Sequence, residues 1–304
     1  MNSVILPGVS AAHSARPRIA IVGAGNLATT LAIALHQTGY SIDQIISRKT
    51  ASSVRKAGRL ARKVGAQVSS ADKAQILADI VWFCVPDAAI ASVAQSLAPA
   101  AQWRGKIALH SSGALTSDEL VILRGRGAFV ASIHPLMTFV RKSRPSLAEV
   151  PFAIEGDPAA VRAARKIVKN LSGHAFAIRN QDKAAYHAWG TFASPLLTAL
   201  LAATEKVAAI AGVNGKAARK RMLPILRQTL ENYANFGASG AFSGPIVRGD
   251  VDTVKRHLQS LRKDPIARQV YFSLVQAALA YLPAKNKSEI KDALKACAEG
   301  KEKS

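Results

Sequence analysis

At 304 residues the chain exceeds the size at which one hydrophobic core usually stops growing, so two domains are expected, and 49% hydrophobic residues exclude a disordered chain. Cys84 and Cys297 lie far apart and in no metal-ligand spacing, which excludes a disulfide framework and a zinc site; no metal is expected and a cytoplasmic location fits. The formal charge of +22 falls on Arg55–Lys63, Lys216–Arg227, Lys255–Lys263 and a Lys-rich tail without interleaved aromatic residues, a pattern of solvated helix faces that argues against a specific nucleic-acid partner.

In chain order, residues 1–17 lack the charged start and continuous apolar core of a secretory signal and read as a flexible extension. Short β-branched runs then alternate with helical periods, the pattern of βαβ units around a mostly parallel sheet: strands are predicted at Arg18–Val22, Ile42–Ser47, Ile80–Cys84, Ile107–Leu109, Phe129–Ile133, Phe152–Glu155 and Ala175–Ile178. After Gln181 strand signals vanish, and helices are predicted over Gln181–Ala211, Gly215–Phe236, Val251–Leu261 and Pro265–Leu282. The division is an extension (1–17), an α/β doubly wound Rossmann domain (18–180), an all-α domain for substrate and dimerisation (181–284) and a polar tail (285–304). The stretch Ser194–Ala211 is apolar almost all round and is expected to be buried on most faces, against its own domain or a second subunit, with a kink at Pro195. No segment reads as a run of about 18 uncharged apolar residues, so no membrane partner is expected.

The leading motif is Gly23-Ala-Gly25-Asn26-Leu27-Ala28, between the strand RIAIV and the helical period TTLAIALHQTG. Two glycines permit a tight turn and close approach of a pyrophosphate, Ala28 lets the helix pack on the sheet, and the helix N-terminus offers N–H groups. The second strand ends Ser47-Arg48-Lys49, where NAD enzymes of this class place a carboxylate for the ribose; a hydroxyl and two cations suit a 2′-phosphate, so NADP(H) is the expected cofactor. Further strand ends carry Val85-Pro86-Asp87, with Val85 and Pro86 candidates for cofactor contact and Asp87 read as a helix cap; His110-Ser111-Ser112, with Ser111 facing the cofactor and Ser112 the substrate; and His134-Pro135, with His134 a substrate-side candidate. His110 reads equally as a site residue or a structural one.

Lys183, His187, Gly190 and Ser194 share one helical face, a polar seam in which Lys183 could donate a proton to a carbonyl receiving hydride while His187 orients it. Arg248, in the turn Ser243–Asp250, is a candidate clamp for a substrate carboxylate, whereas Asp250 or Asp252 suffices as a helix cap.

By GAGNLA, HSSGALTSDEL, SIHPLMTF, KAAYHAW and GPIVRGDVDTVKRHL, the chain resembles bacterial Rossmann-like proteins whose C-terminal half is a domain of unknown function, over nearly all of residues 18–282. That family is similar to 6-phosphogluconate dehydrogenase, 3-hydroxyacid dehydrogenases, ketopantoate reductase and pyrroline-5-carboxylate reductase. The resemblance implies NAD(P) binding in the first domain and a homodimer formed through the second. In 3-hydroxyacid dehydrogenases and ketopantoate reductases a catalytic lysine is followed four residues later by asparagine; Lys183 matches the lysine and His187 stands at the asparagine position. Pro195 likewise stands where the unknown-function family carries asparagine. The implied function is NADP-dependent reduction of a small oxo acid, ketopantoate-like, by an oxidoreductase acting on a CH–OH group. The alternatives are reduction of a cyclic imine and a non-catalytic NADP-binding sensor or scaffold.

Overall fold

The computed structural model describes residues 16–298. The expected extension at 1–17 lies outside the described residues but for its last two positions, and so do residues 299–304 of the expected tail. Eight strands form one sheet: β1 (Ile19–Val22), β2 (Ile42–Ser47), β3 (Gln67–Ser70), β4 (Ile80–Phe83), β5 (Ile107–His110), β6 (Phe129–Pro135), β7 (Pro151–Gly156) and β8 (His174–Ala177). Their spatial order is β3-β2-β1-β4-β5-β6-β7-β8, and every neighbouring pair is parallel except β6 with β7. The order reverses direction between β1 and β4, the switch point at which open α/β sheets bind ligands.

Helices α1 (Asn26–Gln37), α2 (Ala51–Val64) and α5 (Pro158–Asn170) cover one face, and α3 (Ile90–Leu97) with α4 (Val121–Arg124) the other. Along β1, Ile19 and Ile21 enter the first core while Ala20 and Val22 enter the second. Burial on both faces explains why β1 (IAIV) and β4 (IVWF) read as unbroken apolar runs. The edge strand β3, QVSS, was not predicted, because a half-exposed edge needs no apolar run.

The chain divides into two compact units, one ending at Thr191 and the other beginning at Phe192. The expected boundary at 180/181 is therefore corrected: helix α6 (Lys183–Thr191) belongs to the sheet unit, because Lys183 and Tyr186 on it are buried. The second unit holds α7 (Leu197–Ile210), α8 (Gly215–Ala241, kinked at Gly237), α9 (Pro245–Arg248), α10 (Val251–Ser260), α11 (Pro265–Tyr281) and α12 (Lys287–Ala298). Its core is Val254, Leu258, Val275, Leu279, Ile290 and Leu294. The polar tail assigned from residue 285 is thus in part a helix, and Ile290, Ala293 and Leu294, at helical spacing among lysines, fix it to the core.

Pro195 sits in a π-helical turn, Phe192–Leu196, between α6 and α7. No residue of α7 is buried within this chain, contrary to the expected burial against its own domain. The continuous helical run Asn180–Ile210 is long and apolar enough to cross a membrane by length and composition, with a mean hydropathy of 1.3, which corrects the reading that no such segment occurs.

Candidate functional site

The carboxyl ends of β2, β1 and β4 open on a cavity of about 300 Å³ lined by Gly23, Ala24, Gly25, Ser47, Arg48, Ser53, Lys56, Cys84, Val85 and Pro86 among others. Gly23 has φ 113°, and a Cβ there would stand 2.4 Å from the Cys84 carbonyl oxygen, so only glycine lets the β1 turn lie against β4. Gly25 caps α1 with no side-chain hydrogen bond, and a Cβ there would meet nothing within 4 Å. The N-terminus of this twelve-residue helix thus opens on the cavity at Gly25, a fit for a pyrophosphate. Ala28 is fully buried and packs the helix on the sheet. Asn26 donates to the Phe139 carbonyl at 3.1 Å, and Leu27 is half-buried.

At the far end of this cavity Ser47 and Arg48 are joined by Ser53 and Lys56 of α2. Sequence reasoning missed the last two; their spacing of three residues on a helix beginning just after Arg48 was the available signal. Lys49 is turned elsewhere: its ammonium pairs with Asp72 at 3.0 Å, and it lines a separate depression beside Lys73. Burial pushes the Cys84 thiol up to about 12, so it lines the cavity as an inert apolar group.

Beyond β4 lies a hydrogen-bonded lattice under the β5 turn. The Trp82 indole N–H donates to the Ser111 hydroxyl at 2.8 Å. The Ser112 hydroxyl donates to Asp87 at 2.7 Å and accepts from the Ala114 and Leu115 N–H groups at 3.2 and 2.9 Å. Ser112 is buried with its hydroxyl fully engaged, so its expected contact with substrate is corrected to a structural role. Asp87 makes no cap hydrogen bond on its own turn and instead accepts from Ser112. His110 is structural: it is fully buried, its Nδ1 accepts from the Ser112 N–H, its Nε2 meets the Thr116 carbonyl at 2.9 Å, and burial lowers its pKa to about 4.

Lys183 is 1% exposed. Its ammonium donates to Ser132 Oγ at 2.7 Å and to the Ser112 carbonyl at 3.2 Å, and lies 3.7 Å from Glu155. Glu155, itself buried, accepts from the Ser117 N–H and hydroxyl at 2.7 and 2.8 Å. Desolvation draws the lysine pKa down against the pull of Glu155. The polar seam predicted along α6 is therefore divided: Lys183 points into the sheet ends, and only His187 is exposed. The expected proton donor is enclosed because β6 and β7 place Ser132 and Glu155 side by side in register, a pairing the linear sequence does not display.

His134, near the end of β6, places Nδ1 2.8 Å from the Tyr186 hydroxyl. Its ring stands edge-on to Tyr186 at 5.5 Å and to His187 at 6.3 Å. A Cβ on Gly113 would lie 2.8 Å from His187 Cδ2 and 2.9 Å from His134 Nε2, so the β5 turn supports both imidazoles only because residue 113 has no side chain. Burial, then the charges of Lys183 and His187, lower the His134 pKa to about 4, and burial raises Tyr186 to about 12. Both are neutral near pH 7: a phenol that can donate to Nδ1 and an imidazole whose Nε2 then keeps the ring proton. Tyr186 was not singled out from the sequence. Arg248, the expected clamp, is exposed at the end of α9 in the other unit, and Asp250 caps α10 by accepting from the Thr253 N–H at 3.1 Å.

Comparison with known proteins adds family and fold. No curated protein matches the chain. Among solved structures, a candidate NADP oxidoreductase of Bacteroides fragilis superposes with a TM-score of 0.74 at 24% identity, covering 86% of this chain and 97% of its own. A reductive aminase from Aspergillus terreus, in complex with NADPH and ethyl-5-oxohexanoate, gives 0.62 at 17% identity over 90% and 98%. An imine reductase from Pseudomonas gives 0.59 at 22% over 87% and 94%. Likeness at such identities is a likeness of fold. The Rossmann-like domain family matches residues 6–135 and the domain of unknown function DUF2520 matches residues 150–278, so in this chain a Rossmann-like domain is followed by a DUF2520 domain.

Proposed function

We propose that the chain is an NADP(H)-dependent oxidoreductase that reduces a small carbonyl or imine compound. The observation that carries this is the cavity at the β2–β1–β4 edge, where a glycine turn and a bare helix N-terminus lead to Arg48, Lys56, Ser47 and Ser53 with no carboxylate among the lining residues. A 2′-phosphate is the group that two cations and two hydroxyls at the end of β2 would hold. Reduced nicotinamide supplies a hydride when bound.

The chain's own contribution is to bind, orient and protonate. Gly23, Gly25, Ser47, Arg48, Ser53 and Lys56 would hold the dinucleotide along the strand ends, and its hydride would be of use to a substrate bound near the ends of β5 and β6. The protic groups there are His134, Tyr186 and His187, gathered over Gly113. A neutral imidazole keeping its Nε2 proton, backed by the Tyr186 hydroxyl at Nδ1, is suited to hydrogen-bond the developing charge on a substrate oxygen or nitrogen. His187, exposed beside it, is the group best placed to exchange protons with solvent.

Two substrate classes fit, small oxo acids of the ketopantoate type and cyclic imines of the pyrroline-carboxylate type. The imine class gains support from the imine reductase and reductive aminase among the similar folds. A second copy of the chain is the partner that the exposed apolar residues Phe192, Leu196, Leu223, Ile225, Leu230, Tyr233 and Phe236 favour. The deciding experiment follows NADPH absorbance with purified protein against oxo acids and cyclic imines, with His134→Gln and Tyr186→Phe beside it. Turnover that falls in both variants while NADPH still binds supports the reading; NADPH binding without turnover on any compound favours a non-catalytic sensor.

A further inference from the structure

Lys183 is a buried cation that the proposed chemistry does not use. It is enclosed at 1% exposure and spans three strand ends: Ser112 after β5, Ser132 on β6 and Glu155 on β7. Its two direct acceptors are themselves tied together, since Ser132 Oγ donates to the Ser112 carbonyl at 3.1 Å. The residue after Ser112 is Gly113, where a Cβ would press on both imidazoles. We infer that Lys183 is a positioning residue which pins the Ser112–Gly113 turn beneath His134 and His187 and sets a buried positive charge near His134, and that it never meets the substrate.

The geometry separates two duties. Mechanically, the ammonium closes a triangle with Ser132 and the Ser112 carbonyl, so the turn cannot drift from β6 without breaking buried hydrogen bonds to a charged donor. Electrostatically, a cation fixed on the inner side of β6 opposes a second positive charge on the His134 ring. The groups that face that ring are Asp87 after β4, which favours its protonation, and Lys183, Tyr186 and His187 on α6, of which Lys183 and His187 oppose it. Glu155 of β7 is engaged by Ser117 and by Lys183 itself. With the ring neutral, Nδ1 stays free to accept from Tyr186 and Nε2 keeps its proton.

The test reads His134 itself. With isotope-labelled histidine rings, and His134→Gln to assign the signal, the titration midpoint is measured by NMR in the wild type, in Lys183→Arg and in the paired variant Lys183→Met with Glu155→Gln. The paired variant removes both buried charges and so avoids an orphaned carboxylate. Its His134 midpoint should rise by about one pH unit, the size expected for loss of a nearby like charge, whereas Lys183→Arg should leave the midpoint near that of the wild type. In parallel, an amine-directed reagent on folded wild-type protein should modify exposed Lys56 and leave Lys183 unmodified. An unmoved midpoint in the paired variant overturns the inference, as does labelling of Lys183 that NADPH blocks; the labelling decides alone if the paired variant does not fold. The inference rests on the proposed reductase only for the site that Lys183 serves. Because the titration uses cofactor-free protein, a failure of the wild type to bind NADPH would sink that function separately.

Discussion

His134 on β6 and Tyr186 on α6 are joined by a 2.8 Å contact between an imidazole nitrogen and a phenol hydroxyl, across fifty-two positions of sequence. The pair links the last strand of the parallel run to the helix that follows the sheet. The helix is held there by Lys183 one turn earlier, so the buried ion pair and the protic groups over Gly113 depend on one packing event.

The cofactor end yields the first expectation. Arg48→Ala and Lys56→Ala should each weaken NADPH binding by about tenfold or more, since a hydrogen bond to a charged group is worth roughly 1.5–3 kcal/mol, and should leave NADH binding nearly unchanged. Fluorescence titration with both cofactors checks this; equal losses for the two would place the 2′-phosphate elsewhere. Lys49→Ala, whose partner is Asp72, should have little effect on either.

Gly23→Ala should be damaging in both fold and binding. The new Cβ would stand 2.4 Å from a backbone carbonyl at φ 113°, a conformation costing about 1–3 kcal/mol before the clash is counted. Thermal unfolding should move down by several degrees and NADPH binding should be lost. An unchanged Tm would mean that the β1 turn relaxes away from β4.

Gly113→Ala tests the imidazole cluster apart from the cofactor. Its Cβ would press on His187 and His134 side chains rather than on backbone, so the fold should survive with a modest loss of stability while turnover drops by about tenfold or more. NADPH affinity, read in the same samples, should be retained. Activity equal to the wild type would remove these rings from the chemistry.

Burial of His110 and His134 makes stability fall in acid. Each folded-state pKa is about 4 against an ordinary value near 6.5. Between those values the unfolded chain binds more protons than the folded one, so stability is full above pH 6.5 and declines as pH drops toward 4. His134→Gln should flatten part of that decline in Tm over the same window. Parallel profiles for variant and wild type would show that His134 does not titrate there.

The proposed homodimer would form through the helical unit. Exposed Tyr233 and Phe236 lie on α8, and Phe236→Asp should convert a homodimer to monomer in light scattering without unfolding the sheet unit. A wild type that is monomeric at all concentrations would leave these residues to another partner.

The Rossmann turn and the order of strand and helix were legible because each is local: a turn or a period shows within a dozen positions. Strand β3 escaped because an edge strand needs no apolar run, and α12 escaped because its few apolar positions are scattered among lysines. Ser53 and Lys56 could have been found by following the α2 face from Arg48. Tyr186 could not, since a tyrosine beside a histidine on a helix says nothing of which strand it meets.

The sequence by itself determined the dinucleotide fold, because glycine at the β1 turn, alanine at the helix contact and the absence of a carboxylate after β2 are chemical requirements of single positions. Only the tertiary structure decided the roles of the polar residues downstream. Lys183 and His187 occupy one helical face four residues apart, yet one is enclosed by Ser132 and Glu155 while the other is exposed. Helical periodicity gives direction around an axis; what waits in that direction depends on β6 and β7 lying in antiparallel register, a long-range pairing that no local pattern encodes.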